Sequence, residues 1–275
     1  MMTRIFRGNL FMLLNYLLED LESVKTEGNL EINISKIEYD SEKIEKENLF
    51  VAINGYKENG NDYIKEAIEK GAVALIVESK YEEEIKEKNK EELEKVSVIY
   101  VENARKALAE VSARFYGYPA KQLKLIGITG TKGKTTTAYM IRDIMLKAGK
   151  KIGMIGTICI TYGEKYIDSE RTSPESLELN RIFRDMVDND IEYVVMEVSS
   201  HALELYRVYG MHFIMSVFTN LSHEHLDFHG TMENYLNAKK KLFEMSDFAL
   251  VNGDDIYTPQ LIKGLKCKIA KFRTR

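Results

Sequence analysis

Gly127-Ile-Thr-Gly-Thr-Lys-Gly-Lys-Thr-Thr-Thr137 decides the fold. It follows the β-branched run Leu123 to Thr129, which has the pattern of a strand, and opens Lys134 to Ala148, which has the pattern of a long helix. A Gly-rich turn between strand and helix is the setting a phosphate-binding loop requires. Its glycines let backbone N–H groups converge on phosphate oxygens at the positive end of the helix, with Lys134 reaching the terminal phosphates and the Thr135 hydroxyl a magnesium ion. Gly130, Thr131, Lys132, Gly133, Lys134, Thr135 and Thr136 are therefore the candidate nucleotide contacts. The spacing departs from the general G-x-x-x-x-G-K-[ST] pattern. Ile128 stands at the first glycine position, and the fit is Gly130-x-x-Gly133-Lys134-Thr135.

Downstream of the loop, strands are predicted at Ile152 to Ile155, Tyr193 to Val198, Ile214 to Thr219, Ala249 to Asn252 and Cys267 to Lys271. Repeated strand-helix alternation predicts a mostly parallel sheet with flanking helices. Upstream, after a first amphipathic helix in the apolar stretch Leu10 to Leu18, a smaller α/β unit is expected. Its strands are Leu30 to Tyr39, Asn48 to Ile53, Ala72 to Val77 and Val96 to Val101, its helices Asp62 to Lys70 and one opened by Asn103. The mixed-sign run Glu82 to Lys95 is expected to be a solvated helix face. Tyr116-Gly117-Tyr118-Pro119 punctuates the chain and places the boundary near residues 118–123, giving domains 1–118 and 119–275.

Composition supports two soluble domains. The chain has 275 residues, 44% hydrophobic and 30% charged, against roughly 100–200 residues per domain. With 39 Lys+Arg against 43 Asp+Glu, the formal charge of -4 removes the broad basic footprint of a general nucleic-acid binder. Two cysteines, Cys159 and Cys267, are too few for a disulfide framework and fit a reducing cytoplasm. No window supplies the roughly 18 successive apolar residues of a membrane span. Leu10 to Leu18 runs into Glu19, Asp20 and Glu22 without a cleavage site for a secretory signal.

Three further features carry chemistry. Val194-Val-Met-Glu197 is an apolar strand ending in a carboxylate, the usual way such a sheet places an acidic partner for magnesium. His201, soon after it, is structural or substrate-side. His223, His225, Asp227 and His229 would share one face of an extended segment and could ligate zinc. Phe228, however, breaks the His-x-His-x-Asp-His run of metallo-β-lactamase-like hydrolases, and that reading leaves the phosphate loop unexplained. Finally, Thr231 caps a helix whose apolar face holds Met232, Tyr235, Leu242 and Phe243, with Lys239 in its middle. A lysine there either snorkels outward or is paired or chemically altered.

Together these residues resemble the Mur ligases of peptidoglycan synthesis, in particular the branch that adds the third peptide residue. The resemblance lies in GITGTKGKTTT (Gly127 to Thr137), Thr172-Ser173-Pro174-Glu175, MEVSSHALELYRV (Met196 to Val208) and FTNLSHEHLDFHGTMENYLNAKKKLF (Phe218 to Phe243), and more thinly in Asp40-Ser41 and Asn48 to Ile68. It implies an N-terminal domain for a UDP-precursor, a central ATPase domain, and an ATP-dependent amide ligase. Such an enzyme joins meso-diaminopimelate or L-lysine to the D-Glu carboxylate of UDP-N-acetylmuramoyl-L-Ala-D-Glu through an acyl phosphate.

By the same resemblance, Lys134, Glu197, His225 and Lys239 are the catalytic residues. Thr135 with Glu197 would hold one magnesium ion, and His225 with a carbamylated Lys239 a second. Ser41, Thr172, Ser173, Ser199 and Arg207 would contact the precursor, with the Gly55-Tyr56-Lys57 loop as further nucleotide contacts. Leu205 stands where the family commonly has glutamine, and Glu42 where it often has arginine. Full members continue through a complete central domain into a third, so the resemblance implies little ligase turnover by this chain alone. A folylpolyglutamate synthase would share the loop and the modified lysine but leave the first domain unexplained. A non-catalytic nucleotide-binding relic is the remaining alternative.

Overall fold

The computed structural model describes residues 11–55 and 58–273. The chain forms two compact units, Met1–Phe115 and Tyr116–Arg275.

The first unit is built on a five-stranded sheet in the order Ser23–Glu27, Ser97–Val101, Ala72–Glu78, Asn48–Val51, Lys36–Glu38. The last four strands run parallel and Ser23–Glu27 is antiparallel. Ala72–Glu78 is almost wholly buried, as expected of a parallel strand covered on both faces.

Two sequence expectations give way here, and a third, the charged helix, is met in two pieces. Leu10 lies outside the described residues, and among the described residues of this apolar stretch the helix is confined to Leu14–Leu17, after Met12–Leu13 pairs with Asn33–Ile34. The amides of Leu14 and Asn15 donate to Ile32 and Leu30 carbonyls, so the chain is tied to a neighbouring segment there. The expected strand Leu30 to Tyr39 divides into Asn33–Ile34 and Lys36–Glu38. Ser35 spends its hydroxyl on the carbonyls of Lys46 and Glu47, and the kink buries Ile34 and Ile37, a spacing of three where alternation predicts two. The charged run forms two helices, Glu82–Lys88 and Lys90–Leu93. They are separated by Asn89, which leaves helical geometry (φ -129°, ψ 28°) while its buried side chain (3.1 Å) and its amide (3.0 Å) both donate to the Ile85 carbonyl.

The second unit holds an eight-stranded sheet, ordered Lys165–Asp168, Cys159–Tyr162, Ile152–Ile155, Tyr193–Glu197, Lys124–Thr129, Phe213–Phe218, Phe248–Asn252, Lys268–Phe272. From Ile152–Ile155 to Lys268–Phe272 all neighbours are parallel. Cys159–Tyr162 and Lys165–Asp168 add an antiparallel hairpin turned at Gly163 (φ 55°), absent from the sequence reading. Alternate residues of the central strand enter opposite cores. Leu125 joins Phe183, Phe213, Phe218 and Phe243, whereas Ile126 and Ile128 pack with Ala138, Met154, Val195 and Val217. Such two-sided burial marks the doubly covered parallel sheet expected from the repeated alternation.

Successive strands are laid on both sides of Lys124–Thr129, so its carboxyl end is a switch point where open α/β sheets form their crevices. Among the described residues, no helix is long and apolar enough to cross a membrane.

Gly127 lies in this central strand where an added Cβ would come within 2.9 Å of Leu242 and 3.0 Å of Phe213. Gly127→Ala is expected to cost about 1–3 kcal/mol through overpacking, read as a lower urea midpoint; an unchanged midpoint would show that both neighbours yield freely.

Candidate active site

The phosphate loop leaves Thr129 and turns through Gly130, whose φ is 149° and whose absent Cβ would sit 1.9 Å from Thr219 Oγ1. Only glycine fits so close an approach. Gly133 (φ 84°) caps the helix Lys134–Lys147. The loop is braced from the neighbouring strand. Asn220 accepts from the Thr131 amide (2.9 Å) through its carbonyl and from the Lys132 amide (3.0 Å) through its side chain, while Thr219 Oγ1 donates to the Lys132 carbonyl (2.7 Å). Sequence reasoning missed Thr219 and Asn220 as site residues. Their signal was position, directly after the strand that flanks the loop strand. Lys132, Gly133 and Thr136 face solvent at the loop tip and first helical turn.

Lys134 curls back to donate to the carbonyls of Gly130 (2.9 Å) and Thr131 (3.1 Å). Lys239 Nζ donates to the same Gly130 carbonyl (3.1 Å) from the helix Met232–Glu244. At 1% exposed it does not snorkel outward, and it lies over the Tyr235 ring (4.3 Å). Burying a lone ammonium costs several kcal/mol, more than one charge-assisted hydrogen bond returns. That burial, with the Lys134 charge beside it, pushes Lys239 down to about 7, and burial also lowers Lys134.

Glu197 ends its strand 1% exposed. Its Oε2 accepts from Thr135 Oγ1 (3.0 Å), which brings the two proposed ligands of one magnesium together. A carboxylate beside a hydroxyl is an oxygen donor set that suits this ion. His225 takes a left-handed conformation (φ 56°) and packs edge-on against Tyr235 (6.1 Å), so it and Lys239 share that ring without touching each other through a hydrogen bond among those observed. An imidazole and an ammonium make a poor magnesium site. Conversion of Lys239 to a carbamate would supply the missing oxygens.

The condition for His223, His225, Asp227 and His229 to share one face is not met, because Leu226–His229 is a helical turn rather than extended. Among the described residues no three His, Cys, Asp or Glu side chains gather as a metal-holding group. His201 packs against His225 and Phe228 and is lowered by burial, while His229 bonds Ser200 Oγ (2.9 Å) and burial pushes it down to about 4.

The candidate precursor contacts of this unit converge beside Glu197. Ser173 Oγ donates to the Glu197 carbonyl (3.0 Å) and accepts from the Ser199 amide (3.2 Å), and Arg207 donates to the Ser173 carbonyl (3.0 Å). Ser199 also caps the helix Ser200–Glu204. Arg207 is engaged by buried Glu175 (2.8 Å), so its charge is already partly balanced. Thr172 bonds Thr157 (3.0 Å). In the other unit, Ser41 is buried and donates to Glu66 (2.9 Å), while Gly55 holds a turn to Glu58. Tyr56 and Lys57 lie outside the described residues.

This arrangement matches known proteins along both units. Residues 128–274 match the Mur ligase middle domain and residues 33–116 the Mur ligase family catalytic domain. UDP-N-acetylmuramoyl-L-alanyl-D-glutamate--2,6-diaminopimelate ligase of Clostridium perfringens is 47% identical over 95% of this chain and 53% of that protein. Its counterpart in Clostridium tetani is 46% identical over 94% of this chain and 52% of that protein. The chain thus spans about half the length of these relatives. A solved structure of a ligase of the same name shares the fold, with a TM-score of 0.78 at 22% identity over 97% of this chain and 53% of that one. With both stretches matched and the loop, acidic strand end and buried lysine in place, the chain belongs to the Mur ligase family.

Proposed function

We propose that this chain carries the ATP- and precursor-handling parts of a cytoplasmic ligase that joins meso-diaminopimelate or L-lysine to UDP-N-acetylmuramoyl-L-Ala-D-Glu. The observation that carries the reading is Glu197, whose carboxylate meets Thr135 of the phosphate loop while its carbonyl holds Ser173 of the precursor side. One residue thereby fixes the distance between the nucleotide and the group to be phosphorylated, the positioning on which phosphoryl transfer chiefly depends.

In this reading residues 1–118 bind the UDP-precursor through Ser41 and the loop from Gly55, and residues 119–275 bind ATP. Gly130, Thr131, Lys132, Gly133, Thr135 and Thr136 present the loop to the phosphates. Lys134 leaves the Gly130 carbonyl to reach their terminal oxygens. Thr172, Ser173, Ser199 and Arg207 orient the precursor so that its D-Glu carboxylate faces the γ-phosphate. Thr135 with Glu197, and His225 with carbamylated Lys239, would hold two magnesium ions, which when bound neutralise charge on the transferring phosphoryl group. The acyl phosphate is then open to the amine of the diamino acid.

The experiment is to titrate the 275-residue chain with Mg-ADP and with the precursor, then follow phosphate release and product mass with Mg-ATP and each diamino acid separately. Both ligands are expected to bind, with little turnover; binding of neither would sink the reading. Lys134→Ala should weaken Mg-ADP binding about 10–100-fold, the loss expected for a charge-assisted contact, and leave precursor binding unchanged.

Lys239 gives a pH dependence. A carbamate forms only from the neutral amine, whose fraction grows as pH rises through about 7. At fixed dissolved 13C-labelled carbon dioxide, a carbamate 13C resonance should strengthen from pH 6 to pH 8 and vanish in Lys239→Arg. Its absence from the unsubstituted chain at pH 8 would exclude the modification.

A further inference from the structure

Glu197 is seated from a side to which neither the sequence motifs nor the proposed ligand set assigns a role. The turn after Ile152–Ile155 brings Gly156 beneath it so closely that an added Cβ would lie 2.5 Å from Glu197 Oε1. Thr157 then contacts both oxygens of the carboxylate. Its amide donates to Oε1 (2.9 Å), its hydroxyl to Oε2 (3.2 Å), and the same hydroxyl lies 3.0 Å from Thr172 Oγ1.

We propose that Thr157 is a positioning residue that sets the Glu197 carboxylate for magnesium and braces it against Thr172, an inference that rests on the metal-side role given to Glu197 above. A carboxylate offers about four lone-pair sites. The Thr157 amide fills one on Oε1, and the hydroxyls of Thr135 and Thr157 approach Oε2 from two elements. This fixes the plane of a side chain that would otherwise rotate about its terminal torsion. Thr157 has a single hydroxyl proton. Both Glu197 Oε2 (3.2 Å) and Thr172 Oγ1 (3.0 Å) lie within its reach as acceptors, so the substrate-side threonine and the metal-side carboxylate are oriented by one shared hydroxyl. Partners that orient a metal ligand in this way typically govern metal affinity about 10–100-fold.

The test is a magnesium titration of the full chain bound to a fluorescent ADP analogue, with EDTA as the metal-free reference. Thr157→Val, which keeps the branched shape, should raise the half-saturating magnesium concentration about 10-fold and leave affinity in EDTA unchanged. Thr157→Ser should restore it to within about twofold, a rescue that loss of fold would not permit. A Thr157→Val titration superposing on that of the unsubstituted chain would overturn the positioning role and leave the proposed function standing. Affinity lost equally in EDTA would also overturn it, by showing that the phosphate loop itself is disturbed. If Glu197→Gln matched the unsubstituted chain at every magnesium concentration, both this inference and the metal-side role of Glu197 would fall.

Discussion

The approach of Gly130 to Thr219 is the constraint on which the second unit depends. With 1.9 Å between the position of a missing Cβ and the threonine oxygen, the chain can turn there only without a side chain. Because it turns, the loop amides lie against Asn220, the Gly130 carbonyl points at two lysines, and the helix from Lys134 starts beside Glu197. A phosphate loop is a backbone device. Here its shape is imposed by the strand next door.

Two lysines on one carbonyl create an electrostatic tension that the proposed chemistry would relieve. Burial and the Lys134 charge both push Lys239 down, and of the two only Lys239 is wholly enclosed. The enclosed one gives up its proton most readily. Phosphates would draw Lys134 away, and carbon dioxide would turn Lys239 from a potential cation into an anion. The same enclosure that makes a lysine expensive makes its neutral amine available near pH 7.

Much of this was legible in the sequence because it is local. The Ile152–Ile155 strand and the Lys134 helix follow from apolar patterning and from a glycine at the right place. That Glu197 meets the phosphate loop was foreseeable because its strand ends in a carboxylate downstream of that loop, and its Oε2 does accept from Thr135. What escaped depends on partners far along the chain. Thr157 and Asn220 are ordinary polar residues until the sheet sets them beside Glu197 and the loop. Ser35 breaks a well-patterned strand by bonding carbonyls at Lys46 and Glu47, and Asn89 leaves helical geometry between two short helices while its side chain folds back on the Ile85 carbonyl. The second strand of the hairpin at Gly163, Lys165 to Asp168, is exposed along its length, so no buried face announces that strand. Side-chain competition for backbone groups leaves no periodic trace.

The strand order also governs when the site can come into being. Lys124–Thr129 is flanked by segments that arrive much later, as contacts spanning 69 residues to Tyr193 and 90 residues to Thr219 show. Closing such loops makes a parallel sheet slow to assemble, and the nascent central strand waits with both edges open. The Gly-rich motif is complete at Thr137, yet the groups that shape it, Thr219 and Asn220, emerge from the ribosome long afterwards. A nascent chain released before Asn220 would contain every residue of the phosphate-binding motif and still possess no braced loop.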